Sequence, residues 1–188
     1  MPAGKLIVIS GPSGAGKSTV IKEVFECTDL PLQWSVSATT RPPRPGEVAG
    51  QDYHYLSSDE FERRREAGEF LETCEVFGRG YWYGTLQSEV TPRLEQGNWV
   101  VLEIDVDGTL AILECFPDAV TIFVRPGSIE QLERRLTDRG TETPVEITRR
   151  LDVARREMEL EKHYRHTAIN NDVTEAVAQI CEILKSYQ

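Results

Sequence analysis

Leu6-Ile7-Val8-Ile9-Ser10-Gly11-Pro12-Ser13-Gly14-Ala15-Gly16-Lys17-Ser18-Thr19 decides the fold. Leu6 to Ser10 is a short apolar run of the kind that forms a buried strand, and it enters a glycine-rich turn without a linker. Ser18 to Glu26 then continues as a helix. The turn fits the pattern G-x-x-x-x-G-K-[ST] and lies where that pattern works, between a buried strand and a helix. At average residue usage such a match arises by chance in about one chain in a hundred of this length. Its glycines let the backbone wrap a phosphate, with amide N–H groups and the helix N-terminus pointing inward. Lys17 brings a positive charge toward the β- and γ-phosphates, and the Ser18 hydroxyl can ligate Mg²⁺. Gly11, Pro12, Ser13, Gly14, Ala15, Gly16, Lys17, Ser18 and Thr19 are therefore the candidate nucleotide-binding residues.

Working outward, strands and helices alternate. Trp34 to Thr40 alternates as a strand does, and Arg41-Pro42-Pro43-Arg44-Pro45-Gly46 cannot be regular structure. Tyr53 to Leu56 and Phe70 to Phe77 read as strands around a helix from about Asp59 to Ala67. Trp99 to Ile104 and Val120 to Val124 are further buried-strand runs, with a helix from about Thr109 to Cys115 between them. Ser128 and Gln131 form a capping-box pattern for a helix that Gly140 stops. Thr143, Pro144 and Glu146 begin another helix, reaching about Tyr164. Ala168 to Asn170 reads as a last strand, and Val173, Ala176, Val177, Ile180, Ile183, Leu184 and Tyr187 make the apolar stripe of a final helix. This alternation predicts an α/β domain with a mainly parallel sheet flanked by helices, the P-loop type. The span from Trp34 to Tyr83, richer in short strands and loops, reads as an insertion able to close over a ligand.

The chain has 188 residues, enough for one domain with its own core. Its formal net charge of -10 argues against a nucleic-acid partner, because such a surface repels a phosphate backbone. No apolar run approaches the ~20 residues of a membrane span, and no secretory segment is visible. Cys27, Cys74, Cys115 and Cys181 show no metal-ligand spacing, so they read as reduced core thiols of a cytoplasmic protein. His54, His163 and His166 show none either, and Trp34, Trp82 and Trp99 read as core. The 21 basic residues comprise sixteen Arg and five Lys, and eight Arg lie between Arg134 and Arg165. Arg favours forked contacts with phosphate, so a few of these eight are candidates for a small phosphate-bearing ligand. Arg134, Arg149, Arg155 and Arg156 read as surface charges.

A second constellation is Thr39-Thr40-Arg41-Pro42-Pro43-Arg44-Pro45-Gly46-Glu47-Val48-Ala49-Gly50-Gln51-Asp52-Tyr53-His54-Tyr55-Leu56. Two Arg three apart in a proline-locked loop make a stiff fork for a phosphate, since proline removes the entropy of arranging them. The stretch resembles the signature of guanylate kinases: Thr-[Ser/Thr]-Arg, a basic residue three on, then an acid, Gly, Tyr and an aromatic. Every specified position is filled. The resemblance continues through Ile104-Asp105, Gly108, Arg139-Gly140 and Asn170-Asn171-Asp172, and so covers nearly the whole chain.

That resemblance implies Mg²⁺-dependent transfer of the γ-phosphoryl group of ATP to GMP, and dGMP as a further acceptor, within purine nucleotide metabolism. It implies one domain: a core at about 1–33, 84–127 and 168–188, a GMP-binding insertion at about 34–83, and a helical lid at about 128–167. By the same likeness Arg41, Arg44, Tyr53 and Tyr83 hold the GMP phosphate. Ser37, Glu72, Thr85 and Asp105 line the guanine pocket. Guanine offers two adjacent donors, N1–H and the 2-amino group, so one buried carboxylate pairs with it and is left unpaired by adenine. Lys17, Arg41, Arg135, Arg139 and Arg150 are the catalytic candidates, with the last three reaching from the lid over the ATP phosphates.

Some positions depart from the family pattern. Gly78 to Gly84 carries one residue more than usual, and the phosphate-binding tyrosine is assigned to Tyr83 and not Tyr81 from its place before Gly84-Thr85. Asp107 stands where Gln is commoner, and Asn171 where Asp is commoner. Two other readings fit less well. A catalytically dead module of this family that binds proteins usually loses the loop lysine, and Lys17 and Ser18 are intact. A small-molecule kinase acting on ribose phosphates has no reason to keep Glu72, Thr85 and Asp105 together.

Overall fold

The computed structural model describes residues 4–75, 80–138 and 143–188. Nine strands and seven α-helices alternate among them. They are β1 (Lys5–Ser10), α1 (Lys17–Cys27), β2 (Leu32–Trp34), β3 (Ala38–Thr39), β4 (His54–Tyr55), α2 (Ser58–Glu66), β5 (Phe70–Glu75) and β6 (Trp82–Leu86). Then follow α3 (Gln87–Glu95), β7 (Trp99–Glu103), α4 (Val106–Cys115), β8 (Val120–Pro126), α5 (Ile129–Asp138), α6 (Pro144–Glu159), β9 (His166–Asn170) and α7 (Val173–Lys185). A five-stranded sheet has the order β2-β7-β1-β8-β9, with β2 parallel to β7 and β8 parallel to β9. This is the mainly parallel, helix-flanked architecture that the alternation predicts. A four-stranded sheet has the order β4-β3-β6-β5 and is mostly antiparallel.

The chain forms two compact units. The first comprises the described residues up to Ile7, Pro31–Leu102 and Asp107–Ala119; the second comprises Val8–Leu30, Glu103–Val106 and Val120–Gln188. In the first unit Ala38, Phe61 and Leu86 are buried together under Leu56, Phe70 and Trp82, and the Phe61 and Phe70 rings stack at 4.6 Å. In the second, Leu132 and Leu136 of α5 meet Leu151 and Ala154 of α6, packed by Ile129 and Ile147. Each set recurs every three or four residues along its helix, which puts it on one face.

Several boundaries differ from the sequence reading. Trp34 to Thr40 is not one strand, because β2 pairs with β7 whereas β3 pairs with β4 and β6, so the chain changes sheets over residues 35–37. The sequence pattern predicts neither β6 nor α3; in α3 the internal Pro92 breaks the helical pattern. The helix from Pro144 ends at Glu159 and passes into a 3₁₀ turn at Leu160–His163. Its Thr143–Glu146 capping box forms in full. At Ser128 only half the box forms: the Gln131 amide donates to Ser128 Oγ, but Gln131 Oε1 takes the Gly127 amide. Gly140 as helix stop and the end of the predicted strand at Phe77 lie outside the described residues.

The cysteines are less buried than core thiols would be. Only Cys181 is buried; Cys27 and Cys115 are exposed and Cys74 is half-buried. Cys27 and Cys181, distant in sequence, meet sulfur to sulfur at 2.7 Å. Among the described residues no helix is long and apolar enough to cross a membrane.

Candidate active site

In the second unit the sequence dictates the loop after β1 through two backbone conformations. Gly11 has φ +139°, and a Cβ there would stand 2.0 Å from the Val124 carbonyl oxygen of β8. Gly16, the cap of α1, is left-handed at φ +88°, and a Cβ there would meet Asn170 Nδ2 at 2.5 Å. Only glycine satisfies both conditions. No side chain caps α1, and its first turn carries no acid. Its leading amides thus face outward for an anion, backed by the positive end of the helix dipole.

Lys17 Nζ donates to the carbonyls of Gly11 at 2.7 Å and Pro12 at 3.2 Å, curling over its own loop. Loss of hydration on burial lowers its pKa, opposed by the carboxylates of Glu103, Glu157 and Asp105, while Arg150 pushes it down further. An arriving polyanion offsets that burial cost and favours the charged form. Ser18 Oγ donates to Glu103 Oε1 at 2.7 Å. Glu103, the last residue of β7, escaped the sequence reading. The available signal is an acid closing an apolar strand run, one residue before the end that the run Trp99 to Ile104 predicts.

Two of the predicted lid arginines sit against this loop. Arg135 donates from Nη1 to the Ala15 carbonyl at 3.2 Å and from Nη2 to the Asn170 carbonyl at 2.7 Å. Arg150 Nη2 donates to Ser13 Oγ at 2.6 Å. Asn170, buried at the end of β9, joins them by donating Nδ2 to the Ala15 carbonyl at 2.7 Å. Arg139 lies outside the described residues. Asp105 belongs to this unit, among the carboxylates that act on Lys17.

The first unit gathers the other predicted residues. Arg41 is buried at 8 % exposure and donates from Nε to Tyr83 Oη at 3.2 Å. The rings of Tyr53 and Tyr55 lie 5.4 Å and 5.9 Å from its guanidinium carbon, and Tyr53 packs edge-on to Tyr83. Tyr83 thus joins the arginine, while Tyr81 is exposed. Arg44 is exposed on the proline-locked loop. Glu72 and Thr85 face each other across β5 and β6, both buried, and Thr85 Oγ1 donates to Glu72 Oε1 at 2.7 Å. Ser37 is half-buried, and its carbonyl accepts from the His54 amide at 2.9 Å. Among the described residues no group of His, Cys, Asp and Glu is arranged to hold a metal on its own.

Comparison with known proteins shows the family of the chain. The family model described as guanylate kinase matches residues 3–187. A guanylate kinase of Rhodopirellula baltica is 55% identical over 182 residues, covering 96% of this chain and 87% of that protein. One of Caldanaerobacter subterraneus is 46% identical over 181 residues, covering 96% and 86%. The crystal structure of guanylate kinase from Anaplasma phagocytophilum superposes with a TM-score of 0.82 at 31% identity, covering 100% of this chain and 88% of that one. With its phosphate loop, its Arg41 cluster and its buried Glu72 all inside the matched span, the chain belongs to the guanylate kinase family.

Proposed function

We propose that this chain is an ATP:GMP phosphotransferase, releasing ADP and GDP by direct in-line transfer without a covalent enzyme intermediate. Positioning and charge stabilisation carry such a reaction. ATP is the donor, held at Gly11 to Thr19, with Lys17 on its β- and γ-phosphates. Arg135 and Arg150 serve the charge that develops on the transferred group, together with Arg139 by family likeness. Arg41, Arg44, Tyr53 and Tyr83 take the GMP phosphate; Ser37, Glu72, Thr85 and Asp105 take the base. By family likeness dGMP is a second acceptor in this reading. By family likeness the insertion at 34–83 serves the acceptor and the lid at 128–167 serves the donor. A cytoplasmic location completes this reading.

Mg²⁺ suits the oxygen donors at Ser18 and Glu103, which stand in contact at 2.7 Å. When bound it neutralises charge on the phosphates. The chain's own residues do the remainder: the loop amides and Lys17 orient the donor, and the arginines steady the charge that develops on the transferred group.

The observation that carries guanine over other bases is the buried Glu72 carboxylate on Thr85. A buried acceptor left without its donors is a large penalty, so discrimination against AMP is expected to reach about 10⁴-fold in kcat/KM. A coupled ADP-release assay over GMP, AMP, CMP and UMP tests this. Comparable turnover of AMP and GMP would refute it.

A further inference from the structure

We propose that Glu47 is a positioning residue, holding the Arg41 guanidinium in the orientation that receives the acceptor's phosphate. This rests on the reading of Arg41 as a GMP-phosphate ligand. The family signature contains an acid at this position, and the structure shows what it touches. Glu47 Oε2 accepts from Arg41 Nη1 at 3.0 Å and Oε1 from Nη2 at 2.9 Å, a forked pair. Oε2 also accepts from the Arg44 amide at 2.6 Å and from Tyr55 Oη at 2.8 Å.

Two opposite roles are open to an acid beside a phosphate-binding arginine. A competitor occupies the guanidinium and must be displaced, so its removal tightens phosphate binding. A positioner fixes the guanidinium from behind, so its removal loosens binding. The contacts favour the second. Two of the four donors to Glu47, the Arg44 amide and Tyr55, do not belong to Arg41, so the carboxylate is anchored on its own account. Arg41 is held on other edges too, by Nε to Tyr83 Oη and by Nη1 to the Pro42 carbonyl at 2.7 Å. Four of its five N–H groups are thereby directed, and the Tyr53 and Tyr55 rings pack near its guanidinium carbon at 5.4 Å and 5.9 Å. The Arg41 hydrogen bonds hold the Glu47 carboxyl at about pKa 2, so the acid stays ionised at any pH where the enzyme works. Glu47 also ties the backbone of Arg44 to the side chain of Arg41, setting the spacing of the phosphate fork.

Glu47→Gln keeps the shape but turns one acceptor into an NH₂ that faces an Arg41 N–H. The expected result is a rise of at least tenfold in KM for GMP, with KM for ATP unchanged and kcat at saturating GMP falling far less. Combining it with Arg41→Ala should add little beyond Arg41→Ala alone, because Glu47 acts through that arginine. An unchanged or lower KM for GMP in Glu47→Gln overturns the proposal, as does a loss confined to kcat. If Arg41→Ala itself spares GMP, the underlying phosphate-ligand reading fails instead. Should Glu47→Gln not fold by circular dichroism, Tyr55→Phe decides: it frees one edge of the carboxylate and should raise KM for GMP about threefold, and no rise sinks the idea.

Discussion

Glu72 stands opposite Thr85 in the β5–β6 register, its carboxylate buried on a hydroxyl. If it accepts the two guanine donors, Glu72→Gln loses one hydrogen bond and sets a donor against a donor, costing roughly 2–4 kcal/mol against GMP. That is about 10²-fold or more in kcat/KM for GMP, with KM for ATP hardly changed. Selectivity over AMP should shrink because GMP is lost, not because AMP is gained. An unchanged GMP:AMP ratio of kcat/KM would show that Glu72 does not read the base. Single residues were also where the chain was hardest to read. Glu72 is one acid in a polar strand until a family pattern singles it out, and Glu103 and Glu47 have meaning only through Ser18 and Arg41, which lie far off or around a turn.

At the scale of elements, α5 and α6 carry legible apolar stripes because a helix buries every third or fourth residue whatever its neighbours are. The polar faces were less legible: of the arginines there, Arg135 and Arg150 turn to the phosphate loop. Arg135→Ala should therefore lower kcat by at least tenfold while KM for GMP moves less than threefold; the reverse pattern, read from steady-state kinetics, would place it on the acceptor side. The helix α3 was illegible for a different reason. Pro92 removes one backbone hydrogen bond, and tertiary contacts offset that loss. Val90 is fully buried, and Glu89 collects Arg93 at 2.8 Å, His54 at 3.1 Å and the Val36 amide at 3.4 Å.

For the whole molecule, the Arg41–Glu47 pair links the phosphate fork to stability. The Glu47 carboxyl lies at about 2 in the folded chain against an ordinary 4.5. Its contribution is complete above about pH 4.5 and is lost as pH falls toward 2, because the unfolded chain takes up the proton first. Urea unfolding of the wild type and Glu47→Gln should show the wild type more stable at pH 7, with the gap closing between pH 4.5 and 2.5. A gap independent of pH would mean the two states do not differ at this carboxyl. The alternation of strands and helices made the overall architecture readable from the chain alone. The change of sheets at residues 35–37 was not, since strand pairing is decided by partners distant in sequence.

The backbone of the phosphate loop also restricts which substitutions can accumulate there. At Gly11 even a methyl group would lie 2.0 Å from the Val124 oxygen, and at Gly16 it would lie 2.5 Å from Asn170 Nδ2. The first obstacle is the main chain of a central strand, which no side-chain rearrangement relieves. The second is the amide that steadies the loop at Ala15. Alanine and serine, the nearest neighbours of glycine in size, are therefore no gentler than a large residue at Gly11. Descendants of this sequence have no graded path away from that glycine: they keep it, or they lose the loop and its chemistry in a single mutation.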